Sequence, residues 1–281
     1  MSSGMVINTN ISSINTQRQL TSSNNALSAS MERLSSGLRV NSAKDDAAGL
    51  AIANRMNSQI RGMGVAVRNA NDGISMAQTA EAAMGELTNT LQRMRDLSVQ
   101  SANEGSVTAE DRQKLQTEFK QLNDELSRIV KNTEFNGKKI INGSLSGGVA
   151  IQIGANTSSD NQIRIDIKNL SVTLADVTTA SIGSTATSAQ IFSAIANIDA
   201  AIKSIDTSRS ELGAMQNRFT TTISNLQSSI ENQSAAKSRI MDADFAAETA
   251  ALSRNQILQQ AGTAMLSQAN QRPQAVLQLL Q

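Results

Sequence analysis

Apolar residues recur at helical spacing over most of the chain, and the places where that spacing stops divide it into segments. From Ile7 to Leu38 they fall at Ile7, Ile11, Ile14, Leu20, Leu27, Met31, Leu34 and Leu38, mostly in steps of three, four or seven, which predicts an amphipathic helix. Gly37 stands where a left-handed residue commonly closes such a helix. Ser42 lies three residues before Asp45, the spacing of a capping box with Asp in place of the usual Glu, and Asp46 adds negative charge where a new helix dipole favours it. A second helix is therefore expected from Ser42 to about Asn103, with a coiled-coil seam at Met84, Leu87, Leu91 and Met94. Gly49, Gly62, Gly64, Gly73 and Gly85 weaken it, and either close approach of neighbouring helices or a local break would account for them.

Asn103-Glu104-Gly105-Ser106 reads as a turn, after which Thr108 and Asp111 cap a third helix with Leu115, Phe119, Leu122, Leu126 and Ile129 on its seam. The period then drops to two. Asn136-Gly137 and Asn142-Gly143 are tight-turn dipeptides, and the alternation of Val149, Ile151 and Ile153 and of Ile163, Ile165 and Ile167 predicts a small β element. Residues 171–189, rich in Ser, Thr and Ala, read as a surface connection. A heptad then runs through Ile191, Ile195, Ile198, Ile202, Ile205, Leu212, Phe219, Ile223, Leu226 and Ile230, interrupted at Arg209 and Gln216. A seam this long needs partner helices, so an antiparallel bundle with the two helices before the β element follows.

Asp242 and Asp244 are placed to cap a last helix, which passes through Leu252, Leu258, Ala261, Met265 and Ala269 to Val276, Leu277, Leu279 and Leu280. Pro273 removes one backbone donor and is expected to kink this helix or end it near Arg272. The fold class is mainly α: an elongated antiparallel coiled-coil bundle built from both chain ends, with a small β-hairpin region in the middle. Five segments result, at 1–41, 42–143, 144–189, 190–240 and 241–281.

Composition narrows the chemistry. Among 281 residues only 2% are aromatic, with no Trp or Tyr and a single proline, so burial must rest on Ala, Ile, Leu and Met along extended seams. A net charge of +1 gives no footprint for nucleic acid. The absence of His and Cys removes the commonest general base, the usual zinc ligands and the thiol nucleophile. Asp45-Asp46 and Asp242-Ala-Asp244 could be drawn as paired acids or a magnesium site, but each sits where a helix begins and capping explains it. Gly62-Met-Gly64 lies in a helical pattern with no strand before it, so it is no phosphate loop. No catalytic residue, cofactor or metal site is expected.

No apolar run reaches the roughly 18 residues of a membrane span, and no basic and apolar leader of a cleavable signal is present, so any exit from the cell is expected by another route. Met1–Gly4 are either native or an appended linker ahead of a start at Met5. The first helix carries only Arg18, Glu32 and Arg33 before Gly37, and the last only Glu248, Arg254 and Arg272 past Phe245. Two weakly charged amphipathic ends of this kind are expected to pair with each other and with copies of the chain. Head-to-tail contacts that do not close give a filament, and the scarcity of Lys and Arg on the polar faces argues against a membrane surface.

Three stretches carry a family resemblance: LSSGLRVNSAKDDAAGLAIANRM at 34–56, LQRMRDLSVQSANEG at 91–105, and the run from Ser234 through MDADFAAETAALSRNQILQQAGTAMLSQANQRPQAVLQLL. They resemble bacterial flagellin over about residues 5–143 and 188–281, in a short form with little outer domain. The resemblance implies a filament subunit used for swimming, with the two terminal helices (1–41 and 241–281) forming an inner tube and the bundle an outer tube. It implies assembly positions at Ile7, Ile11, Ile14, Leu27, Met31, Leu34, Leu252, Leu258, Met265, Val276, Leu279 and Leu280. Gly37, Ser42, Asp45, Asp46, Asp242 and Asp244 would form the caps and connector. Implied partners are other subunits, an export chaperone at the C-terminal helix, filament cap and hook-junction proteins, and a vertebrate Toll-like receptor at Arg93, Leu97 and Glu118. Export unfolded through the flagellar type III apparatus, from the cytoplasm to an extracellular filament, is also implied. A hook-filament junction protein with similar termini is the alternative. Asp96 departs from the Glu common in that receptor-facing motif, and Arg272 from the apolar residue frequent beside Pro273.

Overall fold

The computed structural model describes residues 9–145 and 147–279, with side chains through Gln271. Ile7 and Leu280 therefore lie outside the described residues, as do the side chains of Arg272, Val276 and Leu279. The described elements run α1 (Ile11–Ser36), α2 (Ala47–Ser101), α3 (Ala109–Asn132), β1 (Glu134–Phe135), β2 (Lys138–Lys139), β3 (Val149–Gln152), β4 (Gln162–Ile165), α4 (Leu170–Thr173), α5 (Ala175–Thr178), α6 (Ser188–Met241) and α7 (Phe245–Leu279). The fold is mainly α, as expected, with two small antiparallel strand pairs in the middle of the chain where a small β region was expected. Two compact units are formed, one from the described parts of 1–58 and 232–281, the other from 59–231.

In the 59–231 unit, α2 buries Met84, Leu87, Leu91, Met94 and Leu97, and α3 buries Phe119, Leu126, Ile129 and Val130. The buried positions of α6 are Ile191, Ala194, Ile198, Ala201, Ile205, Ser208, Leu212 and Phe219. This seam differs from the one expected. Ile195 and Ile202 are only half-buried at its flank, while Ala194, Ala201 and Ser208 hold the deep places between the isoleucines. Small side chains at alternate seam positions let the helix axis approach its neighbours, which an all-Ile seam would hold off. Arg209 and Gln216 thereby fall beside the seam rather than in it.

The glycine question resolves into two kinds of position, since α2 runs without a break. A Cβ on Gly62 would stand 2.8 Å from the Cβ of Ala155, and one on Gly73 would stand 3.0 Å from the ring of Phe219, so both mark close approach. Gly64 and Gly85 face open space.

β1 and β2 meet across Asn136-Gly137, whose φ values of 50° and 74° are the left-handed pair that a type I′ turn requires. β3 pairs with β4 in the register Val149↔Ile165 and Ile151↔Ile163, burying Ile163 and Ile165.

The connection expected at 171–189 runs over the surface for most of its residues but also sends side chains into the core. α4 and α5 bury Leu170, Leu174 and Val177, and Ile182 and Ala186 follow them inward. Ile182 is held from both sides of its backbone: its N–H donates to Gln116 Oε1 at 2.7 Å, and its carbonyl accepts from the Ser101 hydroxyl at 2.5 Å. These five buried apolar residues anchor the stretch although Ser and Thr dominate its composition. Of the kink or end expected at Pro273, the end does not occur, since α7 is helical through Pro273 to Leu279. A proline deletes one rung of the ladder, and the carbonyl it leaves over, that of Ala269, is occupied by Asn10.

Candidate functional site

α1 and α7 lie antiparallel, and the face they share is built from leucines interleaved with small and polar residues. Ser13, Ser23 and Ser30 are buried on α1, with Thr16, Leu20, Leu27 and Leu34 half-buried between them, in alternating steps of three and four. α7 answers with half-buried Leu252, Asn255, Gln259, Gly262 and Leu266, and with buried Ala269. A Cβ on Gly262 would stand 3.2 Å from Leu20 Cδ1, so the leucine sits against bare backbone.

Both ends of the pair are fastened by polar contacts. At one end Asn10 Nδ2 donates to the Ala269 carbonyl at 2.8 Å, and the Ser13 hydroxyl donates to Asn270 Oδ1 at 2.8 Å. At the other, Arg33 and Glu248 form an ion pair at 3.9 Å. Beyond it Gly37, at φ 72°, ends α1 and turns the chain. The segments leaving the pair then bond to each other: the Ala243 N–H donates to Gly37 O at 3.0 Å, the Arg39 N–H donates to Met241 O at 2.6 Å, and Leu38 bridges Asp242. The Arg39 guanidinium adds a bond to Ile240 O at 2.8 Å.

The connector keeps one half of the capping box read in the sequence, the Asp45 carboxylate on the Ser42 N–H, but ahead of the helix and not at its first turn. Asp45 Oδ2 accepts from the N–H of Asn41, the N–H of Ser42 and the Ser42 hydroxyl at 3.2, 2.8 and 2.9 Å, closing a turn ahead of the helix. These bonds, the Ser42 backbone bond foremost, hold the Asp45 carboxyl below the usual carboxylate range. With Asp45 turned back on Ser42, the cap of α2 falls to Asp46, whose Oδ1 accepts from the Gly49 N–H at 2.8 Å. The helix accordingly begins at Ala47 and not at Ser42. A Cβ on Gly49 would stand 2.2 Å from Asp46 Oδ2, so a larger residue there would displace the capping carboxylate. At the returning segment Asp244 Oδ1 accepts from the N–H groups of Ala246 and Ala247 at 2.9 and 3.3 Å, while Asp242 lies in the bridge to Leu38.

The positions named for assembly divide into two sets. Leu27, Leu34 and Leu252 belong to the seam inside the pair. Ile11 (71% exposed), Ile14, Met31 (50%), Leu258 and Met265 (57%) face away from it. Ile257 (65%) and Phe245 join this outward set, and the sequence reading missed Ile257. It also missed Asn10 and the three serines, although Ser23 and Ser30 each precede a leucine, Leu27 and Leu34, by four residues.

In the 59–231 unit, Nε and Nη2 of Arg93 both donate to Glu118 Oε1, at 2.8 and 2.7 Å, and the pair is exposed. Leu97 is only 1% exposed, so it packs the bundle and offers no side-chain surface beside that pair.

Paired helices, a capped and bridged junction, and apolar residues left facing outward define a helical packing protein built for contact with other chains. None of its described helices is long and apolar enough to cross a membrane. A family model for the bacterial flagellin N-terminal helical region matches residues 7–146, and one for the C-terminal helical region matches residues 195–280. A flagellin of Halalkalibacterium halodurans is 47% identical over 281 residues, covering 98% of this chain and all of that protein. Flagellin C of Vibrio cholerae is 41% identical, covering 98% of this chain and 99% of that protein, but over 381 aligned positions, so it carries sequence that this chain lacks. The crystal structure of Bacillus cereus flagellin matches with a TM-score of 0.50 at 28% identity, over 60% of this chain and 94% of that one. A putative flagellar hook-associated protein from Vibrio parahaemolyticus, at TM-score 0.60 and 14% identity, covers 70% of this chain and all of that one, and shares the fold. The chain belongs to the bacterial flagellin family. It is a structural subunit of the extracellular flagellar filament and not an enzyme.

Proposed function

We propose that the chain propagates a filament through its terminal pair, with α1 and α7 forming an inner tube and the 59–231 unit an outer one. The observation that carries this reading is the outward set on α1 and α7. Ile11, Met31, Ile257 and Met265 are each at least half exposed on the free chain, and burying a large aliphatic side chain stabilises by about 1.5–3 kcal/mol. Copies of the same pair supply that burial. Seeding the purified chain with filament fragments should give long filaments, and deleting 1–40 or 245–281 should leave a soluble chain that cannot elongate seeds. Native-like filaments from either truncation would refute the role given to the terminal helices, and short arrested assemblies of the full chain would point to a junction component.

The wider biology follows the family. The subunit passes unfolded from the cytoplasm through the flagellar type III apparatus, held beforehand by a chaperone at α7, and meets cap and hook-junction proteins at the filament end. A vertebrate Toll-like receptor would engage the exposed Arg93–Glu118 pair. Charge reversal at both residues should abolish receptor signalling by soluble subunits without changing their thermal stability.

A further inference from the structure

In an α-helix each carbonyl accepts from the N–H four residues on, so the carbonyl of Ala269 is owed a donor by residue 273. Residue 273 is proline, which has none. Ala269 is buried, so water does not readily take that place. Asn10 fills it, with Nδ2 at 2.8 Å from the carbonyl oxygen. The same amide turns its Oδ1 to the Ser13 N–H at 3.1 Å and thereby caps α1. One side chain thus closes a gap in each helix.

Between this contact and the Arg33–Glu248 pair the α1 side of the seam is Leu, Ser and Thr, and α7 sets Leu252, Asn255, Gln259, Gly262 and Leu266 against it. Serines at 23 and 30 and leucines at 20, 27 and 34 repeat every seven residues, so sliding α1 by one heptad would again present leucine and serine to α7. Packing alone discriminates weakly between such registers, and a polar partner at one seam position is the usual device that decides. α7 has one carbonyl freed by proline, because the chain has one proline.

We propose that Asn10 is the positioning residue that sets the register of α1 against α7, and that Pro273 serves as its address by leaving the Ala269 carbonyl open. The proposal rests on the reading that this pair builds the filament. Its specific demand is a donor at residue 10. Aspartate there keeps the cap acceptor but presents a carboxylate to a carbonyl.

The test compares the full chain with N10D, P273A and N10D/P273A by the critical concentration for elongation of wild-type seeds. N10D is expected to raise it about tenfold, the effect of leaving one buried carbonyl unserved. N10D/P273A is expected to return to within about twofold of P273A, because the N–H of the new alanine serves Ala269. An N10D chain that behaves as wild type, or one equally impaired in both backgrounds, overturns the proposal. If P273A itself does not elongate, amide exchange decides: the side-chain NH2 of Asn10 should exchange about tenfold more slowly than that of exposed Asn15, and equal rates overturn the proposal. A wild-type chain that does not elongate seeds counts against the filament reading instead, and the exchange of Asn10 in the free chain then tests the register contact alone.

Discussion

Gly73 of α2 lies beneath the ring of Phe219 on α6, so close that a Cβ on the glycine would stand 3.0 Å from Cζ and 3.3 Å from each Cε. Phe219 is fully buried, so moving its ring means repacking its neighbours. Gly73→Ala should therefore destabilise the 59–231 unit by about 1–2 kcal/mol despite alanine's better helix propensity. Gly85→Ala, facing open space on the same helix, should stabilise by about 0.5–1 kcal/mol. Denaturant melts of the two variants give the comparison, and equal effects would mean that the ring can move.

Asp46→Ala removes the side-chain acceptor for the Gly49 N–H at the start of α2. A loss of about 1 kcal/mol is expected, with amide exchange faster over residues 47–50 and unchanged at residue 100.

Asp111 is held below the ordinary carboxylate range first by the Thr108 hydroxyl and then by Lys114. A depressed carboxylate favours the folded state above its unfolded value, about 3.9, and that contribution is lost as pH falls through the lower folded value. The first turn of α3 should accordingly loosen only in acid below about pH 4. Thr108→Ala should bring the Asp111 titration, followed by carboxyl-carbon NMR, back up toward the ordinary value.

Ile182 is fully buried in a stretch whose composition reads as a surface loop. Ile182→Ala should cost about 3 kcal/mol in the 59–231 unit, whereas Val172→Ala, at a 70% exposed position of α4, should change stability by less than about 0.5 kcal/mol.

Leu97 and Arg93 sit one helical turn apart on α2 yet should respond oppositely to truncation. Leu97→Ala removes core volume and is expected to cost about 3 kcal/mol. Arg93→Ala breaks an exposed ion pair and should cost less than about 1 kcal/mol. Receptor assays on Leu97 variants therefore need a melt beside them, because loss of signal there reports loss of packing.

The long helices, their order and the β3–β4 pair are legible in the sequence because each rests on a periodicity that a chain segment carries by itself. The Asn136-Gly137 turn is legible for a similar reason, since both residues adopt the left-handed backbone its type demands. What escaped depends on partners. Asp45 and Asp46 have the same chemistry, and only the folded turn shows that one bonds back to Ser42 while the other caps α2. The α6 seam chose Ala194 and Ala201 over Ile195 and Ile202 because closeness of approach outweighs side-chain size, a property of the pair of helices and not of either one. Asn10 escaped for the same reason: its partner is 259 residues away and is defined by a donor that a proline lacks.

The bridge between Leu38 and Asp242 has a consequence for how the family varies in length. It is a clasp on a loop of roughly 200 residues, and the entropy of closing a loop rises only with the logarithm of its length, about 0.6 kcal/mol for each doubling. An inserted domain the size of the extra sequence in the Vibrio cholerae relative would therefore add only a few tenths of a kcal/mol to the cost of bringing the clasp together. Evolution, or an engineer grafting cargo between β3 and β4, can lengthen the excursion almost without charge to the ends that the clasp holds.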